Sequence, residues 1–339
     1  MTASPPLQLA SNENPLGMPA AAREAAARAL TGADRYPDAT GSMLRKALAE
    51  RLGVAPEWIV LGSGSSEILT LAAQACVEPG QGVVSSQYGF TVYSQAARLA
   101  HARHTVVPAR DYGHDLKAML GAVQADTRLV FIANPNNPTG SLLGAGELLA
   151  FLETVPGTTT VLLDEAYTEY LTPEQRYDSM GWVQRFPNLI VARTFSKAYG
   201  LAGLRIGYGV AQPPLVARLN ALRPRFNVTT PAIAAAFAAL ADNDFQARSY
   251  SLNLQGREQL ARGLAELGLR CLPSAGNFVT VEIGDAAALH KRLAEQGILV
   301  STLEAYGLPR WLRISVGLPE QNTRVLRAVA DLQPARAPA

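Results

Sequence analysis

The chain has 339 residues, of which 48% are hydrophobic, 17% charged and 7% aromatic. Such a composition excludes collagen-like, coiled-coil and disordered polyelectrolyte chains, and the length suits one large domain or two around a full apolar core. Thirty basic against 28 acidic side chains leave a net charge of +2 without a long single-sign run, so no nucleic-acid partner is expected. Cys76 and Cys271 cannot build a disulfide framework, and each lies in an apolar stretch that reads as a buried free thiol. His101, His104, His114 and His290 lack metal-ligand spacing. His101 and His104 could share a helix face and read as surface or packing residues, and no metal is expected. The opening MTASPPLQLASNENPLG has neither the basic region nor the apolar core of a signal peptide. The stretch from Phe226 to Ala241 is too short and too polar to cross a bilayer. The expectation is a cytoplasmic enzyme with no membrane contact.

Taken in order, Trp58 to Leu61 predicts a strand that stops at Gly62, followed by a helix from Glu67 to Val77. A strand at Gly82 to Ser85 and a helix from Val92 to Ala100 come next. Further strands are predicted at His104–Pro108, Arg128–Ala133, Thr159–Leu163, Leu189–Ala192 and Ile206–Val210. Several are continuous Val/Ile/Leu runs, the pattern of strands covered on both faces, and their alternation with helices predicts an α/β domain with a mostly parallel sheet. Pro213 to Ala265 is Ala-rich and predicts long helices. Short strands and helices from Leu269 onward then give an α+β pattern, ending in a helix from Glu320 and a tail from Pro334 expected to be loose. The boundaries drawn are 1–30 for an N-terminal arm and part of a small domain, 31–240 for the large domain and 241–339 for the small one.

Lysine is scarce: only Lys46, Lys117, Lys197 and Lys291 occur among the 30 basic residues. Lys46, Lys117 and Lys291 lie on solvated faces of amphipathic patterns. Lys197 differs, because it follows an apolar strand and sits among small residues in Thr194-Phe-Ser-Lys-Ala-Tyr-Gly. There it could be a surface loop lysine or an amine nucleophile held in a cleft. Asp164 ends the run Val161-Leu-Leu, at the strand edge where open α/β sheets bind ligands, and could pair with a cationic ring nitrogen. The same run resembles a magnesium-binding NTPase strand, but no GxxxxGK[ST] accompanies it. Gly62-Ser-Gly-Ser-Ser-Glu67 is either a plain strand–helix turn or a phosphate cradle using Ser65 and Ser66; Glu67 breaks the dinucleotide fingerprint. Asn134-Pro-Asn-Asn-Pro-Thr-Gly140 is a turn that could also offer an Asn amide to a ring oxygen. One ligand suits a lysine for a Schiff base, an aspartate for a ring nitrogen, Asn and Tyr for a ring oxygen and Ser and Arg for a phosphate: pyridoxal 5'-phosphate.

At this point the chain resembles the fold-type-I pyridoxal-phosphate aminotransferases and, within them, the histidinol-phosphate aminotransferase family. The resemblance is carried in order by Ala10 to Gly17, Arg35-Tyr36-Pro-Asp38, Gly62 to Glu67, Phe90-Thr-Val-Tyr93, Asn134 to Gly140 and Asp164-Glu-Ala-Tyr167. Ser196-Lys197, Arg205, Tyr306-Gly-Leu-Pro309 and Leu312 to Gly317 complete it. It implies that fold, a large α/β domain plus a smaller α+β domain, and transfer of an amino group from a small amine or amino acid to a 2-oxo acid. Lys197 would attach the cofactor and carry the proton, Asp164 would keep the pyridine nitrogen protonated, and Asn137 and Tyr167 would bond the ring 3′ oxygen. Tyr167 counts with Lys197 and Asp164 as catalytic. Phe90, where relatives often have Tyr, would stack on the ring. Ser65, Ser66, Thr194, Ser196 and Arg205 would bind the cofactor phosphate, joined by Tyr36 from the neighbouring subunit of a homodimer with shared active sites. Arg313, with Asn137, would bind substrate.

Two further positions depart from the family pattern. Ser301 stands where an arginine usually helps hold the substrate phosphate, and Leu16 stands where some relatives have Tyr. Arg310 is nearby in sequence as a substitute. The alternatives are an aminotransferase for an α-amino acid, perhaps aromatic, and a threonine-phosphate decarboxylase.

Overall fold

Alternate residues of the central apolar runs feed two separate cores. Leu129, Phe131 and Ala133 belong to one, and Val130 and Ile132 to the other. A strand does this when helices cover both faces of its sheet, since successive side chains point to opposite sides. The structure, a computed structural model, describes residues 5–332; the tail from Pro334 lies outside them. A short strand β1 (Leu7–Gln8) is followed by β2 (Ile59–Gly62), β3 (Gly82–Ser86), β4 (Arg103–Val107), β5 (Thr127–Ala133), β6 (Thr160–Asp164), β7 (Leu189–Thr194) and β8 (Gly207–Ala211). The last seven form one sheet in the order β2-β8-β7-β6-β5-β3-β4. Only β8 runs antiparallel to its neighbours; every other pair is parallel. The mostly parallel α/β sheet read from the sequence is therefore the observed one.

The second layer is a four-stranded antiparallel sheet of β9 (Arg270–Leu272), β10 (Phe278–Glu282), β12 (Ser301–Thr302) and β13 (Trp311–Ser315), in the order β12-β13-β10-β9. Its core joins Val279, Val281, Leu312 and Ile314 to Leu264, Leu293 and Val329 of three covering helices. β1 pairs in parallel with β11 (Ile298–Leu299), and Leu9 enters the same small core. The helix Ala20–Ala29 instead packs with Thr230–Ala241, its Ala22 buried in the large core. The long helix Asn243–Glu266 begins one residue after that helix and carries the chain into the small layer.

Two readings change. His104 lies on β4, where the strand reading of His104–Pro108 put it and not on a helix face, its Nε2 2.8 Å from Ser85 Oγ, while His101 sits in the preceding turn at φ +52°. Cys76 is buried, but Cys271 is only half-buried because β9 is an edge strand.

Candidate active site

Parallel strands end together, so the loops that follow them meet. Ala133, Asp164 and Ala192 are in register at the carboxyl ends of β5, β6 and β7. Above this edge lies a cavity of about 440 Å³, walled by the large layer, residues 11–13 and β13. Its lining brings together Lys197, Asp164, Tyr167, Asn137, Phe90 and Arg313, and at one end Ser65, Ser66, Thr194, Ser196 and Arg205.

Asp164 is the last residue of β6 and is 5% exposed. Its Oδ2 accepts a hydrogen bond from Tyr93 Oη at 3.0 Å, while Oδ1 is buried without a partner. Burial pushes this carboxyl up to about 6, against the Tyr93 bond that favours the ionised form. A buried carboxylate oxygen left open is costly unless a cationic or N–H group completes it. Lys197 Nζ donates to the Ser11 carbonyl at 2.9 Å. Burial first, then the Arg313 charge, bring its amine down to about 8, while Glu13 opposes the fall. Tyr167 Oη accepts from Asn12 Nδ2 at 3.0 Å, and burial raises its phenol to about 12.

Arg313, in β13, is 8% exposed. Its Nη1 donates to Asn137 Oδ1 and its Nη2 to the Ala10 carbonyl at 2.7 Å; Nε is buried without a partner. The helix Ser65–Cys76 starts at the cavity lining, where its first-turn N–H groups have no partner within the helix. Gly64, at φ +75°, precedes it, and a Cβ there would collide with Arg205 Nη2. It is the left-handed φ, more than the contact with the movable guanidinium, that favours glycine here. Arg205 also reaches Ser196 Oγ at 3.4 Å. Glu67, which broke the dinucleotide pattern, closes this loop: its carboxylate accepts from Ser63 N at 2.6 Å and from Asn227 Nδ2.

Tyr36, Asp38, Arg310 and Ser301 do not line the cavity. Tyr36 is 83% exposed, stacked on Phe226 at 4.6 Å on the outer surface. Asp38 holds its turn by accepting from Thr40 and Ser42. Arg310 does not replace the missing arginine, because it is exposed and paired with Glu282 at 3.1 Å. Ser301 is directly opposite Arg313 in the β12–β13 register.

Sequence reasoning gave no role to Tyr93, Asn12 or Glu13. The sequence marked Tyr93 and Asn12 only as members of the Phe90–Tyr93 and Ala10–Gly17 motifs; the left-handed φ of +55° at Asn12 emerges only in the fold.

Residues 4–329 match the family model described as aminotransferase class I and II. A histidinol-phosphate aminotransferase 2 of Ralstonia nicotianae is 56% identical over 95% of this chain and 87% of its own length. A histidinol-phosphate aminotransferase 1 of Cupriavidus pinatubonensis is 54% identical over the same shares. The crystal structure of histidinol-phosphate aminotransferase from Sinorhizobium meliloti in complex with pyridoxal-5'-phosphate superposes with a TM-score of 0.88 at 32% identity, covering 97% of this chain and 90% of that one.

Proposed function

The chain belongs to aminotransferase class I and II, and from that premise we propose that it transfers the amino group of histidinol phosphate to 2-oxoglutarate in histidine biosynthesis. It is an aminotransferase that uses pyridoxal 5'-phosphate. The observation that carries the reading is one cavity holding a buried amine, an open carboxylate oxygen and a buried guanidinium: Lys197, Asp164 Oδ1 and Arg313.

The residues fit that cofactor. The open Asp164 oxygen suits a protonated ring nitrogen, and the Ser65 helix start with Arg205 suits a phosphate. Bound there, the cofactor supplies an electron sink for the bond broken at the substrate's α-carbon. Asp164 holds the ring-nitrogen proton, and Tyr93 fixes which of its oxygens faces the cavity. Lys197, as the attachment point, is near enough to neutral at pH 7–8 to act as both nucleophile and proton carrier. Tyr167 and Asn137 would bond the ring oxygen, with the Asn12 amide fixing the Tyr167 hydroxyl. Phe90 would cover the ring. Ser65, Ser66, Thr194, Ser196 and Arg205 would hold the cofactor phosphate, and Arg313 would take the substrate's anionic end.

The functional unit is a cytoplasmic homodimer in which Tyr36 of each copy reaches the other's cofactor phosphate. Tyr36, Leu30, Met43 and Phe237 are exposed large apolar groups suited to a second copy. One observation favours a different substrate: Ser301 opposite Arg313 leaves a single guanidinium, enough for an α-carboxylate.

A half-reaction screen tests the proposal. Holoenzyme is mixed with histidinol phosphate, aromatic amino acids or threonine phosphate, and the cofactor absorbance and products are followed. Amino transfer with the highest kcat/KM on histidinol phosphate is expected; decarboxylation of threonine phosphate, or preference for an amino acid, overturns it.

A further inference from the structure

Five charged side chains line the cavity: Glu13, Asp164, Lys197, Arg205 and Arg313. Four have a use in the proposed reaction. We infer that the fifth, Glu13, is a specificity-determining residue that takes the ring N–H of an imidazole-bearing substrate, an assignment that rests on the histidinol phosphate reading.

One stretch of backbone joins the groups concerned. The Ala10 carbonyl accepts from Arg313 Nη2 at 2.7 Å, and the Ser11 carbonyl accepts from Lys197 Nζ at 2.9 Å. The segment thus borders first the guanidinium for the substrate's anionic end and then the amine at the reacting centre. Glu13 follows two residues later in the same wall. Three residues of chain span at most ~11 Å, so all three points lie within the length of one small substrate. A molecule anchored on Arg313 and reacting at Lys197 carries its side chain onward, where Glu13 stands.

The carboxylate leaves a fixed backbone. Asn12 is left-handed, its N–H donates to Ser315 Oγ at 2.8 Å, its side chain donates to Tyr167, and its carbonyl accepts from Asn277 Nδ2 at 2.9 Å. Glu13 makes no salt bridge among the described residues. Its charge is felt at the reacting centre, where it opposes the downward shift of Lys197. An imidazole offers this carboxylate an N–H donor and gains positive charge beside it. A phenyl ring offers neither. One residue thereby favours one substrate class and disfavours another.

The test compares wild-type holoenzyme with Glu13→Gln on histidinol phosphate, on phenylalaninol phosphate, in which a phenyl ring replaces the imidazole, and on glutamate. The kcat/KM ratio of histidinol phosphate over the phenyl analogue should fall about tenfold or more, the lower end expected for a hydrogen bond to a charged group. The loss should be greatest below about pH 7, where the imidazole is cationic, and Glu13→Asp should recover part of the ratio. An equal fall on all three substrates overturns the inference, since Glu13 would then act through Lys197, and so do unaltered ratios. If wild-type enzyme does not turn over histidinol phosphate, the reading of the preceding section fails separately. Histidine against phenylalanine then tests Glu13: loss of discrimination in Glu13→Gln supports the inference, and its persistence overturns it.

Discussion

The hydroxyl of Tyr93 donates to Asp164 Oδ2 at 3.0 Å, and the other oxygen of that carboxylate has no protein partner. Tyr93 is itself 1% exposed and stacked on Phe131 at 4.7 Å, so its hydroxyl cannot swing away. Burial first, then the Asp164 charge, hold its phenol well above the usual range, which keeps it a proton donor. The pair therefore presents one fixed, open oxygen to the cavity.

Removing the donor should make that carboxylate harder to ionise. In Tyr93→Phe the Asp164 carboxyl should rise above about 6, by roughly 1–2 pH units if the lost bond contributed about 1.5–3 kcal/mol. A group raised in this way is ionised only at higher pH, so the acid limb of the kcat/KM profile should move upward. Asp164→Ala, without the carboxylate, should bind cofactor but lose most of kcat at every pH. An acid limb that stays in place in Tyr93→Phe would show that Asp164 does not need the hydroxyl.

Lys197 gives a second pH signature. Its amine is brought down to about 8 by burial and by Arg313, so half is neutral near that pH. The rate at which apoprotein takes up pyridoxal phosphate should climb with pH through about 8 and then level off, whereas an ordinary lysine would climb to beyond 10. Arg313→Leu removes a like charge and should move the midpoint upward. Stopped-flow absorbance at a series of pH values measures both, and a midpoint near 10 in wild type would contradict the burial argument.

What the sequence made legible follows from burial and spacing. β5 and β6 could be read because both faces are covered, which makes every residue from Leu129 to Ala133 apolar. β1 could not, because two residues carry no period and its pairing with Ile298–Leu299 crosses almost the whole chain. Lys197 and Asp164 stood out through their places after apolar strands. Tyr93 did not: an aromatic inside the helix Thr91–Leu99 is ordinary core material until the fold brings Asp164, 71 residues away, to its hydroxyl. The Ser11 and Ala10 carbonyls are invisible in a sequence because backbone atoms leave no residue signature, yet they orient Lys197 and Arg313.

Tyr36 lies outside its own chain's cavity, so its effect should be felt across subunits. Tyr36→Ala and Lys197→Ala should each be impaired alone. Mixing them under conditions where subunit exchange is verified should restore activity, because one of the two sites in a hybrid then has both residues. The expected ceiling is about a quarter of wild-type activity, from half the dimers being hybrids with one intact site each. Exchange without recovery would place the action of Tyr36 within its own chain.

Ser301 stands beside the guanidinium proposed for the substrate's anionic end. It lies opposite Arg313 in the antiparallel pair of β12 and β13, where facing Cβ atoms are ~5 Å apart. A longer side chain at 301 would therefore rise beside the Arg313 guanidinium, whereas Arg310 is already engaged by Glu282. A dianionic phosphate can use two such partners, and a carboxylate is satisfied by one bidentate arginine. Ser301→Arg should raise kcat/KM for histidinol phosphate by about 10- to 150-fold, the range of one added hydrogen bond to a charged group, and should raise it less for any α-amino acid. The two like charges repel when no anion lies between them, so the thermal midpoint should drop without substrate and recover on adding inorganic phosphate. Steady-state kinetics on histidinol phosphate and on phenylalanine, with thermal unfolding at several phosphate concentrations, measure both effects. High efficiency on histidinol phosphate in wild type with no gain in Ser301→Arg would mean that Arg313 alone suffices for the phosphate.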